Sequence, residues 1–561
     1  MIQESLEMTG NGSQDNSDIE WWATMTDDAQ SRTNPSWPIL LVGCLIVLFK
    51  LVAFMNEPLT INHDVAMYLQ AAALLLDGGI PYIDVIELNP PLVWYLHIPA
   101  AFLAELLNVA SPLVFNLMLV AACSFSSFWI YQLFRQNDSM GEGTQASIVA
   151  LTPIVTLVLF GNIDYFGQRE HMFMIALLPY LVLRIFRHEG REQAVALPIL
   201  IGLCIGVTVC MKPLQFGLIL LATESYLMIR CRKVGPIFAA ENLAILGVGI
   251  AYLAHFALLP TEAREAFFLR YIPMIIEGYA TFDAPPAWLW AQAKSYLPVP
   301  LVIALAGSAL AWRKGYPSPY RELSMLAVIT GFVGGAMFWL QGKGWSYHAI
   351  PVQFAALLAV MVALSQLRIL RTWLTNIGAF GGRRTGPIIL FVTLILAISI
   401  LTVTPKGYLT EPPEGSRDLS VFEIHSAPGD SIVFISADVF SSYPLILTTQ
   451  REPGTRYLFS FVIPLLYSNA IVDSNSPLGY ILPPELAAEE QLFAQETADD
   501  IVQNKPRLVF IERNKTCSFC RKGFSLLTWA TQQESLMSAL ESYTRLDDIR
   551  KFAIFVRSDE S

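Results

Sequence analysis

Residues 61–91 read INHDVAMYLQAAALLLDGGIPYIDVIELNPP, and they directly follow the first hydrophobic segment that is long enough to cross a bilayer. The stretch contains neither Lys nor Arg, and its ionisable side chains include His63, Asp64, Asp77, Asp84 and Glu87. Acidic side chains placed just outside a membrane indicate a site that performs chemistry or binds cations. We refer to residues 56–91 as the acidic loop.

The composition predicts a polytopic α-helical membrane protein. Of the 561 residues, 54% are hydrophobic and 15% are charged, and the mean hydropathy is +0.48. The apolar residues fall in runs near the roughly 20 residues that a helix needs to cross a bilayer core of about 30 Å. We predict about eleven transmembrane helices, at 38–55, 113–134, 147–161, 171–187, 195–211, 213–230, 238–259, 297–312, 322–340, 349–366 and 386–404.

The positions of Lys and Arg predict the topology, because cationic loops are retained on the cytoplasmic side. Basic clusters fall on alternate connections, beginning at Arg135, Arg184, Arg230, Arg313 and Arg368. They place the N-terminus inside and the C-terminus outside if residues 89–107, with three prolines, lie along the outer interface. The acidic loop, YFGQREH (165–171), the loop 260–296 and GKGWSYH (342–348) would then share the outer face.

The two ends of the chain differ from this apolar middle, which we assign to residues 37–404 with an outer loop at 56–112. Residues 1–36 carry seven acidic residues and one base, Arg32, and this predicts a disordered cytoplasmic leader. From residue 405 to 561 we predict a soluble α/β domain, with strands at 430–436, 507–512 and 551–557 and a helix at 484–503. The net charge of −11 comes mainly from the leader, the acidic loop and the tail, and it suggests no nucleic-acid partner.

Two of the seven cysteines, Cys517 and Cys520, form a CSFC pair in the tail, whereas the other five lie in or beside apolar segments. In an oxidising compartment the pair is a disulfide candidate, and two free thiols are the alternative. A zinc site would need two further ligands, and the only histidine of the tail is His425.

The order of these features resembles the GT-C class of integral membrane glycosyltransferases. The resemblance rests on a first span, an outer loop with an early Asp, the Gly-Pro-Tyr-x-Asp type stretch GIPYID (79–84) and Asn-Pro-Pro (89–91) before an interfacial helix. The chain is similar to the branch of protein O-mannosyltransferases and lipid A aminoarabinose transferases. It differs in having His63-Asp64 where Asp-Glu is usual, and GQREH (167–171) in place of an acidic motif.

The resemblance implies an enzyme that transfers a sugar from a polyprenyl-phosphate donor to a hydroxyl of a glycan, lipid or protein. It also implies a multi-pass protein of the bacterial inner membrane, with the active site and the C-terminal domain facing the periplasm. Such a transfer needs a base for the hydroxyl proton and cations for the leaving phosphate. Asp64 is the candidate base, and the alternative is an acid that caps the following helix.

The remaining candidate residues lie in the same outer segments. His63 would adjust Asp64 or contact the acceptor, whereas Glu87 and Asn89 would line the pocket floor. Asp64 and Glu87 would be the ligands if the enzyme uses a divalent cation such as Mg²⁺ or Mn²⁺. Arg169, Lys212 and Lys343 are candidates for binding the donor phosphate, with ion pairs or snorkelling as the alternative. Further candidates for substrate binding are Gln168, Glu170, His171, Trp345, Tyr347 and His348, although Trp and Tyr are also typical of membrane-boundary belts.

Two other classes of function fit the same pattern. A lipid-linked-glycan flippase or another transporter would also place charges among its spans, but it would favour charges at mid-membrane and related halves. An O-antigen ligase or polymerase would be outward-facing and basic, with a large loop between late spans and no long soluble tail.

Overall fold

The computed structural model describes residues 37–137, 143–160, 165–191, 193–279, 284–367, 419–513, 520–549 and 551–558. The predicted leader at 1–36 and the predicted last span at 386–404 lie outside the described residues. So does the first part of the predicted C-terminal domain, at 405–418.

The first described part of the chain is helical. Its α-helices are Trp37–Asn56, His63–Leu76, Leu92–Leu107, Ser111–Asn137, Gly143–Ala150, Thr152–Leu159, Arg169–Glu189, Ala196–Met211, Pro213–Cys231, Ala240–His255, Thr261–Glu265, Ile272–Gly278, Pro286–Tyr296, Pro298–Arg313, Ser318–Gln341 and Ile350–Ser365. Short 3-10 helices lie at Gly235–Phe238, Phe256–Leu258 and Ser346–Ala349, and a π-helical turn lies at Ala266–Tyr271.

Six of the described helical segments are long and apolar enough to cross a membrane, at Ile39–Asn56, Ser111–Asn137, Pro213–Cys231, Ala240–Leu258, Ser318–Gln341 and Ser346–Ser365. The pair Pro286–Tyr296 and Pro298–Arg313, bent by 40°, would add a seventh. By the length and composition of these helices, the chain is a polytopic helical membrane protein.

The prediction of eleven spans is not supported, for three physical reasons. The segment predicted at 147–161 breaks at Leu151 into two helices of eight residues each, too short to span individually. The segment at 195–211 forms a helix of 16 residues. The segment at 171–187 belongs to a longer helix, Arg169–Glu189, which carries charged residues at both ends.

The charged helix Arg169–Glu189 is joined to its neighbours by a buried ion-pair network. Arg184 donates from Nε to Glu224 at 2.6 Å and from Nη1 to Glu241 at 2.5 Å, and all three side chains are buried. Removal of one partner would leave an uncompensated buried charge, at a cost of about 3–5 kcal/mol. The network therefore holds three helices in one register.

The C-terminal part is an α/β domain built on a five-stranded sheet. Its strands are β1 Ser431–Ile435, β2 Glu452–Pro453, β5 Leu508–Glu512, β6 Tyr543–Arg545 and β7 Phe552–Arg557, and β3 Ile471–Val472 and β4 Tyr480–Ile481 form a separate antiparallel pair. Its α-helices are Leu419–His425, Leu445–Thr448, Val462–Tyr467, Pro484–Asn504, Leu526–Gln532 and Glu534–Ala539. All three predicted strands and the predicted long helix are confirmed.

The five-stranded sheet has the order β2-β1-β5-β7-β6. The strand β1 is parallel to both β2 and β5, whereas β7 runs antiparallel to β5 and β6. The central strands are continuous apolar runs because helices or other parts of the domain cover both faces. Phe434 and Phe510 stack across β1 and β5, with ring centroids 4.6 Å apart.

The C-terminal domain packs directly on the acidic loop. Ile86 donates from its backbone N to the carbonyl of Arg456 at 2.7 Å and accepts from Leu458 N at 3.1 Å, which makes a two-hydrogen-bond bridge between the two parts. A Cβ on Gly278 would lie 2.8 Å from a methyl of Leu465, so this close approach requires glycine. One continuous apolar core therefore runs from the first helix to the sheet.

The structure describes one of the two cysteines of the predicted pair. Cys520 is disulfide-bonded, whereas Cys517 lies outside the described residues. The thiols of Cys44, Cys123, Cys204, Cys210 and Cys231 are free.

Candidate functional site

A cavity of about 560 Å³ lies where the acidic loop, the ends of the membrane helices and the C-terminal domain meet. Each of these three parts contributes to its wall, and no local stretch of sequence forms it alone. Nine of the predicted site residues line the cavity, namely His63, Asp64, Glu87, Asn89, Arg169, Lys212, Trp345, Tyr347 and His348.

Asp64 lies in the first turn of the helix His63–Leu76 with its carboxylate at the cavity. The side chain of Asn62 caps this helix, because its Oδ1 accepts from the backbone N of Asp64 at 2.9 Å and of Val65 at 3.4 Å. The capping that was the alternative role for Asp64 is therefore performed by Asn62. The Asp64 side chain is 14% exposed, so its carboxylate is open to a ligand.

Two neighbours orient the Asp64 carboxylate. Gln168 donates from Nε2 to Asp64 Oδ2 and to Asn62 Oδ1, at 3.0 Å in both cases. His63 Nε2 lies 3.3 Å from Asp64 Oδ1. These contacts leave the carboxylate fixed in direction before any substrate binds, which is the pre-organisation that a general base needs.

Glu87, Asn89 and Arg169 form a chain of hydrogen bonds at the floor of the cavity. Asn89 donates to Glu87 from its side chain at 2.5 Å and from its backbone at 3.0 Å, and Trp94 donates to the same carboxylate at 3.2 Å. Asn89 Oδ1 in turn accepts from Arg169 Nη1 at 2.9 Å. Burial raises the pKa of Glu87, and the Arg169 charge and these hydrogen bonds oppose that effect.

Arg169 is a buried cation on the cavity wall. The side chain is buried and lies over the ring of Tyr68, and its Nε makes no hydrogen bond within the described part of the chain. A buried N–H without a partner costs about 1–3 kcal/mol. A guanidinium matches phosphate oxygens well, so the charge of Arg169 complements an anionic ligand in the cavity.

Lys212 lies between the helices Ala196–Met211 and Pro213–Cys231 and forms an ion pair with Glu170. Burial lowers the pKa of its ammonium to about 8, whereas the Glu170 charge acts in the opposite direction. The ammonium also lies 5.5 Å from the ring of Tyr347. Lys212 is therefore a second cation on the cavity wall, and its charge changes near neutral to mildly alkaline pH.

The segment 343–348 closes another side of the cavity. The rings of Trp345, Tyr347 and His348 pack together, with centroids 4.6–5.7 Å apart. The Nδ1 of His348 is buried and has no hydrogen-bond partner among the described residues. Lys343 does not line the cavity itself, but it donates to the carbonyl of the wall residue Tyr279 at 2.7 Å and lies over the Tyr279 ring.

The structure does not bring the other three predicted residues to the wall. Gln168 and Glu170 lie behind it, where they hold Asp64 and Lys212. His171 is fully buried between Gly167 and Thr156, to which its two ring nitrogens are hydrogen-bonded. Their positions follow from the helix that begins at Arg169, because consecutive residues of a helix point in different directions.

Several wall residues were not predicted from the sequence. They include Tyr68, Gln215, Tyr279, Asp438, Phe440, Phe459 and Phe461. Asp438 could have been predicted from the sequence, because it follows a buried strand. Ligands bind outside the carboxyl ends of parallel strands. The aromatic residues could not have been predicted, since a Phe in a soluble domain is usually a core residue.

The donor set does not match a divalent cation. Among the residues that the structure describes, no three His, Cys, Asp or Glu side chains are grouped to hold a metal ion. Both carboxylate oxygens of Glu87 already accept hydrogen bonds from Asn89 or Trp94. We therefore derive no step through a metal ion.

No family model matches the chain, and no curated protein matches it. Fold and site together define a polytopic helical membrane protein with a cavity, lined by charged and aromatic residues, between its membrane helices and a docked α/β domain.

Proposed function

We propose that the protein is a glycosyltransferase that moves a sugar from a polyprenyl-phosphate donor to a hydroxyl of an acceptor. One observation carries this proposal: a partly exposed carboxylate, Asp64, shares one cavity with two buried cations, Arg169 and Lys212. This combination suits a reaction in which a base removes a proton while a phosphate leaves as an anion.

The bond changes follow from the chemistry of the two substrates. The acceptor oxygen attacks the anomeric carbon of the sugar and forms the new C–O bond, while its proton passes to Asp64. The bond between the anomeric carbon and the phosphate oxygen breaks, and the electron pair stays on that oxygen. Arg169 and Lys212 hold the negative charge of the departing polyprenyl phosphate.

The environment of each group suits its role. Gln168 and His63 orient the Asp64 carboxylate, and Asn89 orients the Arg169 fork. Glu87 is hydrogen-bonded to Asn89, which in turn accepts from Arg169, so we assign Glu87 to positioning the cation. The buried setting strengthens each charge interaction relative to water.

The membrane location fits a lipid-linked donor. The cavity lies beside helices that can cross a bilayer, so the isoprenoid chain can stay in lipid while the phosphate and sugar enter the cavity. As the resemblance to GT-C enzymes implies, we propose that the site faces the periplasm of a bacterial inner membrane.

The proposal is tested with purified protein in lipid nanodiscs, supplied with radiolabelled polyprenyl-phosphate sugars and a crude envelope extract as acceptor, with and without a chelator. We expect label to move to the extract from at least one donor. The proposal fails if no donor supports transfer while proteoliposomes carrying the protein move lipid-linked sugar across the bilayer. That result would indicate a transporter.

A further inference from the structure

The sheet of the C-terminal domain has a crevice of the kind that binds ligands. The strands β2 and β5 both pair in parallel with β1, and they lie on opposite sides of it. The connections that follow β1 and β2 therefore run in opposite directions across the sheet. In open sheets with parallel strands, ligands bind outside the carboxyl ends of the strands at such a change of direction. Here this edge holds Ser436 and Asp438 after β1, and Glu512 at the end of β5.

Polar contacts hold this edge in one conformation. Ser436 donates to Glu512 at 2.7 Å, and Lys551 lies 3.6 Å from the carboxylates of both Glu512 and Asp438. The other oxygen of Asp438 accepts from the backbone N of Phe440 at 3.1 Å. The Asp438 carboxylate thereby fixes the short turn Val439–Ser441, which carries Phe440.

The crevice opens into the cavity that contains Asp64. Asp438 and Phe440 line that cavity, and the Phe440 ring packs on the His63 ring with centroids 3.7 Å apart. Phe440 is nevertheless 46% exposed. His63 is the residue next to Asp64, and both of them line the same cavity as Phe440.

A backbone bridge holds the two walls together. Ile86 pairs with Tyr457, and each is followed within a few residues by wall residues, Glu87 on one side and Phe459 on the other. Arg270 reinforces the contact through Glu489 at 2.7 Å and Glu496 at 3.3 Å. The C-terminal domain is therefore placed to present a ligand to Asp64.

From these observations we infer that the C-terminal domain binds the acceptor, that the acceptor is a glycan, and that Phe440 stacks against one of its pyranose rings. This inference rests on the proposed function. An exposed aromatic ring covers the apolar C–H face of a sugar, and the Asp438 carboxylate on the same cavity wall can accept a hydrogen bond from a sugar hydroxyl. Phe459 and Phe461 extend the aromatic surface, whereas a peptide would be favoured by an open sheet edge or a charged groove.

Binding is tested separately from turnover, with the full chain in nanodiscs and Asp64→Asn present in every sample. Saturation-transfer NMR is recorded with neutral trisaccharides of glucose, mannose and galactose and with a Ser/Thr-rich peptide. We expect at least one trisaccharide to bind and Phe440→Ala to weaken it about tenfold, the loss expected for one aromatic contact. Phe440→Trp should retain binding, and Ile481→Ala, an exposed apolar residue of β4, should leave it unchanged.

Transfer kinetics in the wild-type background supply the second readout. Phe440→Ala should raise the KM for the acceptor about tenfold and leave the KM for the donor within about twofold. The inference is overturned if Phe440→Ala changes neither glycan binding nor acceptor KM, if no trisaccharide binds, or if only the peptide binds. If Phe440-dependent glycan binding is found without any transfer, the acceptor site stands and the proposed function fails.

Discussion

Gln168 donates a hydrogen bond from Nε2 to Asp64 Oδ2 at 3.0 Å, across 104 residues of sequence. The same amide nitrogen donates to Asn62, the residue that caps the helix on which Asp64 lies. The Gln168 side chain thus links the Asp64 carboxylate to the N-cap of the helix that carries Asp64. The candidate base is held from a different helix, and this makes its orientation a property of the tertiary fold.

Gln168→Leu should lower kcat about tenfold with little change in either KM, because it removes a hydrogen bond that orients the base without touching a substrate. Gln168→Asn, which keeps the amide on a shorter side chain, should recover part of the loss. The measurement is steady-state transfer with the donor and the acceptor varied in turn. Equal losses in the two variants, accompanied by a lower Tm, would point to a structural role alone.

Arg169→Lys should raise the donor KM about tenfold, because a lysine cannot reproduce the planar fork that binds both Asn89 and phosphate oxygens. The measurement is donor binding to protein in nanodiscs, followed by the transfer assay. Arg545→Lys is the matched control, because Arg545 is an exposed residue that pairs with Asp548 far from the cavity. Unchanged donor binding in Arg169→Lys would remove Arg169 from the phosphate site.

The affinity for the donor should fall as the pH rises through about 8, because burial lowers the pKa of Lys212 to that value. Below this pH the Lys212 ammonium is charged and adds to Arg169, and above it that cation is lost. Lys212→Arg should abolish the alkaline rise in donor KM, since a guanidinium stays protonated. The donor KM is measured from about pH 6.5 to about pH 9.5. The same alkaline rise in both proteins would assign it to another group.

Arg270→Gln should loosen the docking of the C-terminal domain on the membrane part of the chain, because Arg270, in the π-helical turn Ala266–Tyr271, forms ion pairs with Glu489 and Glu496 of that domain. Hydrogen exchange of the Ile86 and Leu458 amides, which form the backbone bridge, should become roughly tenfold faster, equivalent to about 1.4 kcal/mol. Arg513→Gln, an exposed residue paired with Asp548, is the control. Unchanged exchange at the bridge would show that the ion pairs contribute little to docking.

Local patterns predicted much of the fold and part of the site. The buried strands β1, β5 and β7 and the helix Pro484–Asn504 were found because period and composition act over a few residues. The composition of the acidic loop likewise indicated Asp64, Glu87 and Asn89 as site residues. The number of spans was overestimated, because apolar runs of nearly membrane length include broken or short helices.

The rest of the site depends on contacts between distant residues. The bridge from Ile86 to Tyr457 brings the aromatic residues of the C-terminal domain to the cavity, and neither strand-like segment shows a pattern that specifies this partner. The pairing of Lys212 with Glu170 likewise joins two helices. The charged candidate residues could be identified from their chemical type. Which of them face the cavity and which lie behind it depends on the tertiary structure.

The most direct test is the transfer rate and donor affinity of Asp64→Asn beside Asp84→Asn. Asp84 belongs to the same loop, is exposed, and accepts a hydrogen bond from Ile80 N that an Asn oxygen can also accept. We predict that Asp64→Asn lowers kcat by about 10²–10⁴-fold, the contribution of a general base, with donor binding retained. Asp84→Asn should transfer sugar like the wild type. Wild-type turnover by Asp64→Asn would contradict the assignment of Asp64 as the base.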